Sequence, residues 1–185
     1  MPKIVLSFII SVFVAQTASG TSLPNSKQTV LGLYLTATET DEFLEATPSA
    51  LFIDVRTPQE VDKTGLAAGI DAFIPLTLAN NSGKSKLNQQ FFPGMSALLQ
   101  KRSINPDHPI VFICRSGNRS AVAVNLLAAN GFRNVYTVTD GYEGDRAKSG
   151  PTKGQRTVNG WLNAGLEWQK RVATSCAEPA LGGEC

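Results

Sequence analysis

The chain has 185 residues, 42% of them hydrophobic and 17% charged, with 16 Gly and 10 Pro, a balance that fits one turn-rich globular domain with short extras and excludes a low-complexity or coiled-coil chain. Seventeen Lys and Arg against 15 Asp and Glu leave a net charge of +2, too even for a protein that grips nucleic acid through its overall field. The single histidine, His108, rules out metal sites built on two or more imidazoles, and no metal or other cofactor is expected.

In chain order, Met1-Pro2-Lys3 carries one positive charge, an apolar run follows over 4–15, and small and polar residues lead to Gly20. The run is too short to cross a bilayer core of about 30 Å as a helix, so residues 1–20 are expected to be a cleavable secretory signal peptide. The mature protein is then periplasmic or secreted, with no stable membrane anchor. One domain is expected over 28–171, followed by a cysteine-containing tail over 172–185.

Inside the domain the apolar stretches are short and alternate with helical patterns, which predicts an α/β fold with a mostly parallel central sheet and helices on both faces. An edge strand is expected over 30–35, then a short helix capped by Thr40, a buried strand over 51–55, and a helix opened by Pro58 with Glu60 in its first turn. A short strand over 73–76 ends at proline; a polar loop over 79–90 leads to a helix over 95–102. The clearest unit is a buried strand over 110–113, a polar loop from Cys114 to Arg119, and a helix over 120–130 stopped by Gly131 in the place of a left-handed C-cap. A strand over 135–139, a turn over 140–144, a basic Gly-rich insertion over 145–157 and a last helical stretch over 161–168 complete the chain.

The chemistry is expected in Cys114-Arg115-Ser116-Gly117-Asn118-Arg119-Ser120. A loop from strand to helix in a parallel sheet lies where ligands bind, with the following helix turning its N-terminus toward the crevice. Gly117 permits a backbone conformation that points amides inward, and Arg115 and Arg119 add positive charge. A cysteine there is expected to be held as a thiolate nucleophile, and the same cradle would hold the anion it attacks. His108, between Asp107 and Pro109, reads as a surface turn residue rather than a base for Cys114.

Cys176 and Cys185 share a flexible tail with Pro179 and Gly182-Gly183 and are a candidate disulfide, with a resolving thiol for Cys114 or free thiols as the alternatives. Arg146, Lys148, Lys153 and Arg156 of the insertion are expected to form a basic rim that attracts anions.

At the Cys114 loop the chain resembles the single-domain rhodaneses. Phe52-Ile53-Asp54-Val55-Arg56 with Glu60 is similar to their strand-to-turn signature, and the run from Pro109 to Ser120 to their active-site segment. Asn130-Gly131-Phe132, Val135-Tyr136, Gly141, Trp161 and Ala164-Gly165-Leu166 continue the likeness, which covers about 33–168. The chain departs from the pattern in the 145–157 insertion and in Gly65 to Ile70, where a histidine is common.

The resemblance implies a sulfurtransferase in which Cys114 takes sulfane sulfur from thiosulfate or a similar small anionic donor and passes it, as a persulfide, to cyanide or a thiol. It implies that Arg115, Ser116, Gly117, Asn118, Arg119 and Ser120 bind the substrate and that Asp54 and Arg56 brace the loop, with a purely structural acceptor role for Asp54 equally open. The alternatives are a noncatalytic sulfur carrier or partner-binding module and, further off, a cysteine-dependent phosphatase. Four residues between Cys114 and Arg119, where tyrosine phosphatases carry five, make the ring better suited to one sulfur atom than to a phosphate.

Overall fold

The structure, a computed structural model, describes residues 22–79, 85–170 and the backbone of 183–184. The expected signal peptide and both tail cysteines, Cys176 and Cys185, lie outside the described residues.

Ten strands and four α-helices are described, the first strand preceded by a single 3-10 turn at Asn25–Lys27. In chain order they are β1 (Tyr34–Leu35), α1 (Ala37–Ala46), β2 (Leu51–Asp54), α2 (Pro58–Thr64), β3 (Leu66–Ala67), β4 (Ala72–Phe73), β5 (Thr77–Ala79), β6 (Ser85–Leu87), α3 (Phe91–Lys101), β7 (Ile110–Ile113), α4 (Asn118–Ala128), β8 (Val135–Val138), β9 (Trp168–Gln169) and β10 (Gly183–Glu184). Strands β1, β8, β7, β2 and β4 run parallel in that order, and β10 closes the β4 edge antiparallel.

The central strands are apolar throughout because both of their faces are covered. Every residue of β2 and β7 is buried, and successive side chains enter opposite layers. Leu51, Ile53, Ile110 and Phe112 pack with Phe91, Met95 and Leu98 of α3 and Val124 and Leu127 of α4. On the other face Phe52, Val111 and Ile113 meet Ala37 of α1, Val61 of α2, Tyr142 and Trp161. The expected α/β architecture is therefore observed, and its parallel strands carry their C-terminal ends, including the exit of β7 into Cys114, to one edge.

Several elements differ from expectation. Helix α1 is capped by Thr36, whose side chain accepts from Glu39 N–H while the Glu39 carboxylate accepts from Thr36 N–H. Thr40 is instead buried within the helix and donates to the Thr36 carbonyl. Helix α3 begins at Phe91, because Pro93 falls in the first turn, where its missing N–H leaves no bond unmade. The 79–90 loop contains half of an antiparallel ribbon, β5 with β6. No helix forms over 161–168: Gly160 (φ 94°) and Gly165 (φ 71°) are left-handed, and the segment turns so that Trp161 Nε1 donates to the Glu167 carbonyl before β9 pairs with β3.

Candidate active site

Cys114 leaves the C-terminal end of β7 with 1% of its surface exposed. Gly117 is the left-handed N-cap of α4 (φ 92°), which turns its N–H back to donate to Cys114 Sγ at 3.2 Å. Helix α4 thus starts at Asn118, so Asn118 and Arg119 belong to its first turn rather than to the loop. Ser120 Oγ, fully buried, is 3.5 Å from Cys114 Sγ, donates to the Gly117 carbonyl and accepts from Thr137 Oγ1 at 2.8 Å. Thr137 on β8, unmarked in the sequence, thereby fixes the Ser120 hydroxyl beside the sulfur, while the one Ser120 hydrogen is engaged by the Gly117 carbonyl.

The loop is clamped from the turn after β8. Tyr142 N–H donates to the Cys114 carbonyl and Glu143 N–H to that of Arg115. Gly141 (φ 66°) fits so closely that a Cβ there would lie 2.5 Å from the Cys114 carbonyl oxygen and 2.6 Å from Ser116 N. Asp140 fastens this turn in place, its two carboxylate oxygens accepting from Ala37 N–H and Gly160 N–H. Burial raises its pKa despite these bonds.

The two loop arginines are not free to bind substrate as equals. Arg119 makes two hydrogen bonds to Glu60, at 2.7 and 2.6 Å. Glu60 also closes the capping box of α2, accepting from Thr57 N–H, so one carboxylate ends a helix and fixes an arginine of the site. Burial alone would raise the Glu60 pKa, but the Arg119 bonds and charge, with the Thr57 bonds, bring it down to about 2. Burial opposes the charge on Arg119 too, and Glu60, a Cys114 thiolate and Asp54 together push its pKa up. Arg119 is thereby a held charge whose field reaches the sulfur. Arg115 is half-exposed, with its buried Nε 3.4 Å from Glu60 Oε1 but not hydrogen-bonded to it.

Asp54 and Arg56 form a fully buried ion pair, with Arg56 Nε donating to both Asp54 oxygens at 3.1 and 2.8 Å. The other Arg56 nitrogens go to Thr64 Oγ1 and the Gly65 carbonyl, and its guanidinium lies 3.8 Å over the Tyr142 ring. The pair thus reaches the Cys114 loop through Tyr142, whose hydroxyl in turn donates to the Thr64 carbonyl. Burial pushes the Tyr142 phenol up to about 12 against the opposing pull of Arg56.

A cleft of about 460 Å³ beside the loop is lined by Glu60, Lys63, Arg115, Glu143, Arg156 and Asn163, among others. The four basic residues of the insertion do not share one rim. Arg156 lines this cleft, Arg146 and Lys148 line a second cavity with Lys27 and Asp145, and Lys153 is exposed in the turn between them. His108, before β7 and so at the opposite end of that strand from Cys114, contacts the Ser49 carbonyl at 2.8 Å.

The family model of the rhodanese-like domain matches residues 36–148. An uncharacterised protein of Rickettsia prowazekii is 30% identical over 123 residues, covering 65% of this chain and 84% of that one. Thiosulfate sulfurtransferase 18 of Arabidopsis thaliana is 36% identical over 91 residues, 49% of this chain and 62% of its own. Among solved structures, the crystal structure of Rv0390 from M. tuberculosis superposes with a TM-score of 0.58 at 28% identity, covering 75% of this chain and 97% of that one.

Proposed function

The chain belongs to the rhodanese-like domain family, and from that premise we propose that it is an exported sulfurtransferase working through a persulfide on Cys114. The observation that carries this reading is the seat of the Cys114 sulfur, at a parallel strand's C-terminal end, with the Gly117 amide donating to it and Arg119 held nearby as a fixed charge.

In the first half-reaction the Cys114 thiolate attacks the outer sulfur of thiosulfate or a similar anionic donor. A sulfur–sulfur bond forms, the donor's own sulfur–sulfur bond breaks, and sulfite leaves with the electron pair. In the second, cyanide or a thiolate attacks the terminal persulfide sulfur, releasing thiocyanate or an organic persulfide and restoring the Cys114 thiolate. No outside oxidant or reductant is consumed. The Gly117 N–H offers a donor to the negative sulfur, and Arg115 with Lys63 and Arg156 gives the adjoining cleft the charge an anionic donor needs. Arg119, engaged with Glu60, acts through position and field.

A thiosulfate-to-cyanide assay tests the enzyme reading. Thiocyanate production lost in Cys114→Ser supports it. Persulfide loading without any transfer to cyanide or a thiol would make the protein a carrier instead.

A further inference from the structure

Lys27 lies before the first strand, outside the stretch 36–148 that matches the family. Lysine is almost never buried unless paired, yet Lys27 is 7% exposed. Its Nζ donates to Asp145 Oδ1 at 2.7 Å, and Asn159 Nδ2 donates to the other Asp145 oxygen while Asp145 N–H donates to Asn159 Oδ1. The stem between lies beside Gly117: a Cβ there would be 3.2 Å from Lys27 Cδ and would collide with the Thr139 carbonyl oxygen. Two neighbouring bonds run the same segment along α4, from Ser26 Oγ to Asn118 Oδ1 and from Val30 N–H to Asn125 Oδ1.

Gly117 is the residue whose N–H points at the Cys114 sulfur, and it has no side chain of its own to hold that orientation. The space a Gly117 side chain would take is filled by the Thr139 carbonyl and, beside it, by the Lys27 stem, which the Asp145 pair keeps from swinging into water. We propose that Lys27 is a positioning residue: its stem, fastened by Asp145, keeps the Gly117 amide on the sulfur of Cys114. This deepens the reading of Cys114 as the reacting group and rests on it. Around the sulfur itself Arg115 and Arg119 face Glu60, with the Asp54–Arg56 pair behind them, whereas Lys27 pairs with Asp145 and its charge also acts on Asp140 of the clamp.

The test is the pH dependence of Cys114 alkylation by iodoacetamide, read on the Cys114 peptide of the full chain with no sulfur donor present. It responds to the amide whether or not sulfur transfer occurs, so its failure is distinct from failure of the sulfurtransferase reading. Lys27→Ala is expected to move the half-maximal pH up by about one unit, as befits a weakened bond to a charged sulfur. Lys27→Met, which keeps the stem but not the anchor, should move it by less than half as much, and Lys27→Arg should restore it. A folded Lys27→Ala protein with an unmoved profile overturns the proposal, and so does a Lys27→Met shift equal to that of Lys27→Ala, which would assign the effect to charge alone. If Lys27→Ala does not fold, Asp145→Asn decides: an upward shift of a few tenths of a unit supports the positioning role, and none rejects it.

Discussion

Glu60 ties helix α2 to the Cys114 site through a single carboxylate, so its loss should register in stability as well as activity. A carboxyl lowered from 4.5 to about 2 contributes stability that is whole above pH 4.5 and drains away as the pH falls toward 2. After allowance for solvent screening this amounts to something on the order of 1–2 kcal/mol. Urea unfolding of the wild type should therefore weaken between about pH 7 and about pH 3 by more than that of Glu60→Gln, and parallel losses would contradict the assignment. Gly141→Ala should cost about 1–3 kcal/mol, since it adds both a strained φ of 66° and a Cβ driven into the Cys114 carbonyl. It should also lower turnover at temperatures where the variant remains folded, because the clash displaces the loop itself. Cys114 and the arginines beside it were legible because their chemistry is contiguous in sequence. The partner of Arg119 was not: Glu60 lies 59 positions away and reads, by itself, as an ordinary first-turn acid. Lys27 and Thr137 gave no signal at all, since nothing in a linear chain shows that a lysine stem will lie beside a glycine or a threonine face a serine.

Among the elements, those with both faces covered were the easiest to read. Strands β2 and β7 are unbroken apolar runs, and their neighbours α2 and α4 carry the proline and glycine boundaries that mark helix ends. The helical reading of 161–168 failed because it took no account of glycine. Trp161, Leu162 and Leu166 are spaced as on a helix, but left-handed Gly160 and Gly165 divert the chain into a turn anchored by the Trp161 indole. The insertion over 145–157 read as an undivided basic loop, whereas it pairs across Arg146 and Arg156 and delivers its charges to different places. Arg156→Gln should therefore raise the KM for thiosulfate severalfold and flatten its salt dependence, because it removes one of the cleft's cations. Lys153→Gln, exposed and away from the cleft, should leave both unchanged, and equal effects from the two variants would return the basic residues to a single diffuse field.

At the scale of the molecule, the two apolar layers hold the parallel sheet rigid, and the sheet delivers the ends of β7, β8 and β2 to one edge, where the loop, its clamp and the Asp54–Arg56 pair meet. Phe112, fully buried on β7 against α3 and 6.5 Å from the Phe91 ring, supports this frame without touching the chemistry. Phe112→Ala should lower unfolding stability by about 3–5 kcal/mol, measured by urea denaturation, while the protein that stays folded keeps a reactive Cys114. Export to an oxidising compartment, with a Cys176–Cys185 clip in the tail, is the remaining part of the proposal. Mass mapping without reduction should find those two linked and Cys114 separate.

The central claim, that Cys114 carries the transferred sulfur, is tested most directly by peptide mass spectrometry of the reduced protein after incubation with thiosulfate alone. A gain of one sulfur is expected on the Cys114 peptide, removed by cyanide with release of thiocyanate and absent in Cys114→Ser. A Cys114 peptide that gains no sulfur from thiosulfate or any other sulfane donor, or full transfer activity in Cys114→Ser, would contradict it.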